Sequence, residues 1–519
     1  MKIERTKNAS RNMFFGIIQK IYTIAVPFLM RTAMIYFMGV QYLGLNSLFT
    51  TILSVLNLAE LGVGSAMVFS MYKPIAEDDS EKICALMRLY KIYYRVIGLV
   101  IAVLGIALIP FLPNLIKSDV PQGINIYILY LLNLGTTVFT YWLFAYKNCL
   151  LGAHQRNDVG TKIGMIISTF TYILQFLCLW LLRDYYIYLI IAFATGILSN
   201  IVTAIVTTKM YPDYKAKGEL PKEERKQINK RVRDLFATKV GTVVVNSADT
   251  LVISAFLGLA VLAVYQNYYF IISSIIGIVA IVFASCTAGI GNSLITESKE
   301  KNLNDLKIFL FILCWISGFC ACCFLSLFQP FMQIWVGESL MLDYEYVICF
   351  TVYFVVFEIN GLLNLYKDAG GLWHKDKFRV FATAFANLAL NLIFVNFWGL
   401  FAILLSTVVS MLFVGMPWLL HNLFTVLFNH KDLKGFLKKL LLYIVVICVS
   451  CVVCTFVCSL INLSGWLTII IRLLICCIIP NLIFFVVFFK TKEFSGALNI
   501  IDRMTKNKLK LTQRFFKNS

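Results

Sequence analysis

Charged residues are scarce in this chain. Asp, Glu, Lys and Arg make up 14% of its 519 residues, against 60% that are hydrophobic. That much apolar surface exceeds what a soluble core can hide, which excludes a soluble globular protein. Long polar stretches are scarce too. The longest run to about 25 to 30 residues, too few to build an independent domain. No glycine-rich phosphate loop, metal-ligand spacing or nucleophile motif occurs, so nothing points to an ATPase or to covalent chemistry. The chain is therefore expected to be no enzyme and to hold no metal or cofactor.

Cysteine, by contrast, is plentiful. Fifteen occur, mostly inside apolar runs. The spacing Cys320-x-Cys322-Cys323 has the look of a metal site, but small apolar residues in packed or lipid-facing helices account for it better.

Apolar runs of about 18 residues or more recur along the whole length and read as membrane spans. The first, Phe14 to Gly39, is too long for a signal-peptide core and predicts an uncleaved first helix. The fold class expected is an all-α integral membrane protein of about 14 transmembrane helices. They fall near 14–39, 46–72, 88–112, 125–147, 161–182, 185–208, 234–257, 262–292, 305–328, 345–366, 379–397, 399–424, 439–461 and 466–489. The connections alternate in charge. One set carries Lys73, Lys82, Arg156, Lys162, Lys299, Lys301, Lys375, Lys377, Lys431 and Lys434. The other carries only Lys117 and Arg183, with Glu338 and Asp343 on one loop. The cation-rich side is cytoplasmic, which places both termini there. The net charge of +19 then belongs to cytoplasmic loops facing anionic head groups, not to nucleic acid.

The strongly basic stretch Lys209 to Arg233 divides two similar halves. A shift of 219 residues places Lys20 on Lys239, Phe37 and Gly39 on Phe256 and Gly258, and Glu81-Lys82 on Glu300-Lys301. One further inserted residue places Tyr146-Lys147 on Tyr366-Lys367 and His154 on His374. A repeat of six helices has both copies entering from one side. The expected organisation is a first lobe over 1–208, a basic cytoplasmic linker over 209–233 and a second lobe over 234–424. Two further helices follow over 425–489, then a basic cytoplasmic tail over 490–519. In that tail Phe494, Leu498, Ile501 and Met504 recur at helical spacing. Two readings stand: a helix lying on the inner leaflet, or a solvated tail.

Charges inside spans are the informative exceptions, since each costs roughly 2.5 to 3.5 kcal/mol at mid-bilayer. Helix one carries Lys20, Pro27 and Arg31, all near one face, with a kink permitted at Pro27. Helix two carries Glu60, helix seven Lys239, Asn246 and Asp249, and helix ten Glu358 beside Asn360. Lys20 and Lys239 lie near enough to the inner surface to snorkel. For Arg31 and Glu60 the structural alternative is an intramembrane ion pair. The functional reading is a polar cavity between lobes, in which cations receive an anionic head group and Glu60, Asp249 or Glu358 binds a proton or sodium ion. Lys91 and Arg95, four apart on helix three, anchor at the interface or rim the cavity mouth. His154 and His374, in cytoplasmic loops, are expected to be solvated.

Several stretches resemble the polysaccharide-type, Wzx-like flippases of the multidrug/oligosaccharidyl-lipid/polysaccharide (MOP) exporter superfamily. They are Phe37 to Phe49 (FMGVQYLGLNSLF), Leu58 to Ser65 (LAELGVGS), Leu151 to Asn157 (LGAHQRN) and Gly371 to Arg379 (GLWHKDKFR). The plan of twelve helices in two lobes plus two more is similar to theirs. The resemblance implies a MATE-like fold in a bacterial plasma membrane. It implies a flippase that turns an undecaprenyl-pyrophosphate-linked oligosaccharide from the cytoplasmic to the outer leaflet for capsule, O-antigen or exopolysaccharide synthesis. Glycosyltransferases and a glycan polymerase would be pathway partners. It also implies a cationic central cavity, for which Arg31 is the first candidate and Lys20 and Lys239 the next. The alternatives are a peptidoglycan-precursor flippase or a drug or cation antiporter of the same superfamily. A membrane glycan polymerase needs a sizeable external loop, which this chain lacks.

Overall fold

The computed structural model describes residues 5–504 apart from 61, 118–119, 285, 462 and 464, and leaves out the side chains of some others, among them Lys239, Asn246 and His374. Every regular element among the described residues is a helix. In order they are α1 (Arg5–Phe37), α2 (Val40–Leu56), α3 (Val63–Ala76), α4 (Ser80–Leu108), α5 (Ile126–Trp142), α6 (Asn148–Ala153), α7 (Asn157–Leu181), α8 (Tyr185–Met210) and α9 (Lys222–Phe256). Then come α10 (Leu259–Ala284), α11 (Thr287–Thr296), α12 (Lys299–Trp335), α13 (Tyr344–Ala369), α14 (Trp373–Ser410), α15 (Met416–Val426), α16 (Leu433–Ser459), α17 (Trp466–Phe488) and α18 (Lys492–Met504).

Among the described residues nine stretches are long and apolar enough to cross a membrane, or ten if the bent pair Ile126–Trp142 and Ala145–Ala153 is one span. The longest, Lys375–Val426, holds two of the expected spans, folded at Gly399, whose φ of 55° only glycine adopts freely. The remaining expected spans are α1, interrupted by Lys20 and Arg31; the α2–α3 region; and α9, whose first turns are polar. The protein is a multi-pass membrane protein.

The chain forms two compact units, Met1–Gln266 and Asn267–Ser519, with the division inside α10. In the first unit α1 packs on α7, α7 on α8, α4 and α8 on α5, and α9 on α2 and α3. Thus α9, expected at the head of the second lobe, packs within the first unit. Gly44 of α2 admits the start of α10 beside it. A Cβ there would lie 2.3 Å from the carbonyl oxygen of Leu259, so only glycine admits that backbone. Ser254 Oγ donates to the Leu115 carbonyl at 2.6 Å, and the Lys117 amide to the Ser254 carbonyl at 3.1 Å. Residues 222–233 of the basic stretch are the first turns of α9, and Lys82 on α4 pairs with Glu224 at 2.7 Å.

Expected helix two, 46–72, is broken. α2 ends in a 3-10 turn over Asn57–Glu60, and Gly62 follows with φ 90° before α3 starts. α1, in contrast, runs through Pro27 as one helix.

Local geometry repeats at the sequence offset. Gly39 (φ 103°) separates α1 from α2, and Gly258 (φ 93°) separates α9 from α10. The Asp79 side chain caps α4 by accepting from the Lys82 amide at 2.9 Å. Ser298 caps α12 by accepting from the Lys301 amide at 3.3 Å.

In the second unit α12 packs against α13, α16 and α17. An aromatic cluster of Phe311, Trp315, Tyr443, Phe484 and Phe488 joins them. The sulfurs of Cys454, Cys458 and Cys476 lie within 4.8 Å of one another in this core; none comes from the Cys320–Cys323 run. α18 adds to the same core. Phe494, Ala497 and Leu498 are buried against the protein, and Lys439 pairs with Glu493, so protein, not lipid or solvent, covers the apolar face of this part of the tail. The side chains of Ile501 and Met504 and residues 505–519 fall outside the described set.

The charge asymmetry predicts one side for Lys222 and the other for Lys117, both exposed. Single cysteines at the two positions in a cysteine-free background, treated with an impermeant thiol reagent on intact cells, should be labelled at 117 and protected at 222. The reverse pattern would overturn the assigned topology.

Candidate functional site

The chemistry-bearing side chains start from the helix break. With α2 ended at the 3-10 turn, the Glu60 carboxylate faces α4 and α5. It accepts from Tyr94 Oη at 2.7 Å and from Tyr141 Oη at 2.5 Å. Tyr90 Oη donates in turn to Tyr94 Oη at 2.6 Å. Two hydroxyl donors on a carboxylate stabilise its charge without a cation. Glu60 is therefore held by tyrosines and not by Arg31, and the ion pair that is the structural alternative for these two residues does not form. A carboxylate at a broken span, reached by a chain of hydroxyls, has the make-up of an ion or proton site.

Arg31 sits past the middle of α1. Its Nη2 approaches the carbonyl oxygen of Gln266 at 3.4 Å, and its Nε is buried. Lys20, three turns earlier, is half-buried; its carbonyl accepts from Thr23 Oγ1 at 3.0 Å, while its ammonium makes no hydrogen bond or ion pair among the described residues. A cleft of about 610 Å³ lies on another face of α1, between it and α7. Its walls are largely apolar, with Val26, Met30, Ile173 and Phe176, and none of the predicted charged residues lines it. Asp249 is half-buried on α9; the side chain of Lys239 lies outside the described residues.

Lys91 and Arg95 share α4 with Tyr90 and Tyr94, but each lies one residue on and therefore about 100° round the helix. Lys91 Nζ stands 5.6 Å from the ring centre of Tyr146, a cation–π contact, while Arg95 is exposed. The structure thus brings Glu60 together with tyrosines the sequence reading passed over, and leaves Lys91 and Arg95 off that face.

Glu358 belongs to the second unit. It is 6% exposed in α13, and its Oε1 has no hydrogen-bond partner among the described residues; Asn360 Oδ1 is likewise buried and without a partner among them. An ionised carboxylate there would be a buried charge without compensation. Glu60 and Glu358, alike in sequence as mid-span acids, are opposite in setting.

Several charged groups were missed. In the first unit Asp158 is buried among Arg11 at 2.9 Å, Arg156 at 3.0 Å and Lys162 at 3.5 Å. In the second, Asp376 is buried with Arg379 at 2.7 Å and Lys367 at 3.7 Å. Both acids open helices that follow a basic loop, and that spacing was the available signal. His154 is buried, not solvated. Its ring stacks on Tyr211 with centroids 4.3 Å apart, and Nδ1 donates to the Leu150 carbonyl at 2.9 Å. Burial holds its pKa below the ordinary imidazole value. The side chain of His374 lies outside the described residues. Arg472, inside α17, was visible in the sequence as a charge within an apolar run.

No protein-family model and no curated protein sequence matches the chain. Solved structures do. An inward-closed lipid II flippase MurJ is similar at a TM-score of 0.65 and 17% identity, over 92% of this chain and 99% of that one. An inward-facing multidrug resistance MATE transporter of the MOP superfamily is similar at 0.62 and 15% identity, over 80% and 96%. The chain has the fold of MOP-superfamily transporters. A MOP-superfamily transporter from Pyrococcus furiosus, whose binding pocket has reversed polarity, is similar at 0.51 and 14% identity, over 82% and 96%. Within the MOP fold the same scaffold thus carries pockets of different charge, so side chains, not the fold, must decide the substrate.

Proposed function

We propose that this protein is a lipid flippase of the MOP type, and that it moves an undecaprenyl-pyrophosphate-linked oligosaccharide repeat unit from the cytoplasmic to the outer leaflet. The observation that carries the reading is the match to the lipid II flippase, which covers 92% of this chain against 80% for the MATE transporter. Arg31 supports it, as a permanent cation inside an otherwise apolar helix. A pyrophosphate and its sugars cross hydrocarbon extremely slowly, because each polar group buried without a partner costs several kcal/mol. Cations shield the head group while the prenyl chain stays in lipid, and alternating access exposes the site to the other leaflet. Arg31 is the main anion contact in this reading, with Lys20 and Lys239 next and Lys91 and Arg95 towards the mouth. Glu358 takes up the coupling proton or sodium ion, with Glu60 and Asp249 as further candidates. The protein works in a bacterial plasma membrane, with both termini cytoplasmic, beside glycosyltransferases and a glycan polymerase.

A peptidoglycan-precursor flippase is the second reading, favoured because that same neighbour is a lipid II flippase. Complementation separates the two. A strain lacking its polysaccharide flippase should recover surface glycan, and a strain depleted of its lipid II flippase should not recover growth. The opposite outcome assigns lipid II.

Coupling gives a further expected result. Glu358→Gln keeps shape and removes the ionisable group, so export should slow by about tenfold, equivalent to 1.4 kcal/mol, while the protein stays folded and inserted. Export at the normal rate would leave Glu358 without a role in the cycle.

A further inference from the structure

A second polar site lies wholly within the second unit, at the end of α17 away from the basic tail. A pocket of about 400 Å³ opens between the last turns of α12 and the first turns of α17. Gln329 and Gln333 line it from α12, Met341 and Gly465 from the adjoining loops, and Thr468 and Arg472 from α17. Thr468 and Arg472 are four residues apart and so share a helix face.

Hydrogen-bond accounting makes this pocket unusual. Arg472 Nη1 donates to the Ser326 carbonyl at 3.2 Å, but its Nε is buried with no acceptor among the described residues. Thr468 is 5% exposed, and its Oγ1 is buried with no partner among the described residues. Gln329 is held from both sides: Oε1 accepts from Tyr268 Oη at 3.1 Å and Nε2 donates to the Leu342 carbonyl at 2.6 Å. That leaves one amide hydrogen uncommitted. Gln333 Nε2 donates to Glu338 at 2.7 Å, and Glu338 itself is exposed. Arg472 is the one charged residue among the described residues that line the pocket. A buried guanidinium donor and a buried hydroxyl with nothing to bond are costly in a span, and an anion placed between them removes both costs.

We propose that this pocket binds the phosphate of a membrane lipid. Arg472 supplies the charge and a planar donor fork, Thr468 a hydroxyl donor, and Gln329 an amide hydrogen. The surroundings favour a lipid over a soluble anion. Trp466, at the first turn of α17, is 61% exposed, as befits an aromatic at head-group level. Below it Leu467, Ile470, Leu473 and Leu474 are exposed along the helix and offer a path for acyl chains. The site is independent of Arg31 and of the flippase reading, since any phosphate-bearing lipid satisfies its chemistry.

Native mass spectrometry of the full-length protein tests this, using added phosphatidylglycerol, diacylglycerol with the same chains, and inorganic phosphate. The wild-type protein should retain one phosphatidylglycerol more tightly than Arg472→Gln by about tenfold or more, as expected for losing hydrogen bonds to a charged group. Thr468→Val, which keeps shape and charge, should weaken retention by several-fold. Diacylglycerol should not distinguish the proteins, and millimolar phosphate should not displace the lipid. If Arg472→Gln does not fold, the Thr468→Val comparison decides alone. Equal retention by wild type and Thr468→Val, or equal retention of diacylglycerol, would overturn the proposal. Displacement by inorganic phosphate would assign the pocket to a soluble anion and overturn it as a lipid site.

Discussion

Arg31→Ala is expected to reduce export of surface glycan to background while expression and insertion stay normal. The guanidinium is always charged, and its fork matches phosphate oxygens in pairs. Truncating one partner of a buried, hydrogen-bonded charge pair costs about 2 to 5 kcal/mol, and so lowers transport some thirtyfold or more. Arg31→Lys keeps the charge but loses the paired geometry, so it should keep part of the activity. The structure sharpens the control. Had Arg31 paired with Glu60, removing both would have relieved an unpaired acid and restored function. Glu60 instead takes its hydrogen bonds from Tyr94 and Tyr141. The double variant Arg31→Ala with Glu60→Ala should therefore export no better than Arg31→Ala alone. Normal export by the double variant would make Arg31 a packing residue and remove the main support for an anion site on α1.

The contrast between Glu60 and Arg31 also shows what a sequence can and cannot reveal here. Features set by neighbours in the chain were legible. The glycines at 39 and 258 stand at one offset in the sequence and adopt the same positive φ between helices. The caps at Asp79 and Ser298 match in the same way. Span length follows from apolar run length, so all-helical membrane architecture was legible as well. Features that depend on distant partners were not. Glu60 is settled by hydroxyls 34 and 81 residues away. The break before α3 contains a 3-10 turn and Gly62 at φ 90°, inside a run that reads as one helix. The start of α10 depends on a backbone approach of Leu259 to Gly44, and the α18 face that suited a leaflet found Phe311 and Trp315 instead. Apolar periodicity marks a face for burial without saying whether lipid or protein covers it.

The buried Asp376–Arg379 pair should carry the largest stability effect of any single site named here. The two are 2% and 5% exposed. Arg379 Nε donates to Asp376 Oδ1 at 2.7 Å and Nη2 to Oδ2 at 2.8 Å, a bidentate arrangement. Nη2 also donates to Asn364 Oδ1 at 2.8 Å, and Asn422 Nδ2 donates to Asp376 Oδ1 at 3.1 Å, so the pair ties α14 to α13 and α15. Asp376→Ala leaves the guanidinium buried without its counter-charge, which costs about 3 to 5 kcal/mol. Lys367, 3.7 Å from the same carboxylate, then adds repulsion to the loss. The comparison is Glu77→Ala. Its partner Lys73 lies 3.7 Å away with both side chains more than half exposed, and such surface pairs are worth little. Heating the two variants in detergent and following the monodisperse fraction should show Asp376→Ala lost well below wild type and Glu77→Ala indistinguishable from it. Arg379→Ala should fall with Asp376→Ala, since it strands the carboxylate in turn. If Asp376→Ala survives heating as well as Glu77→Ala does, the pair is not what holds α13, α14 and α15 together.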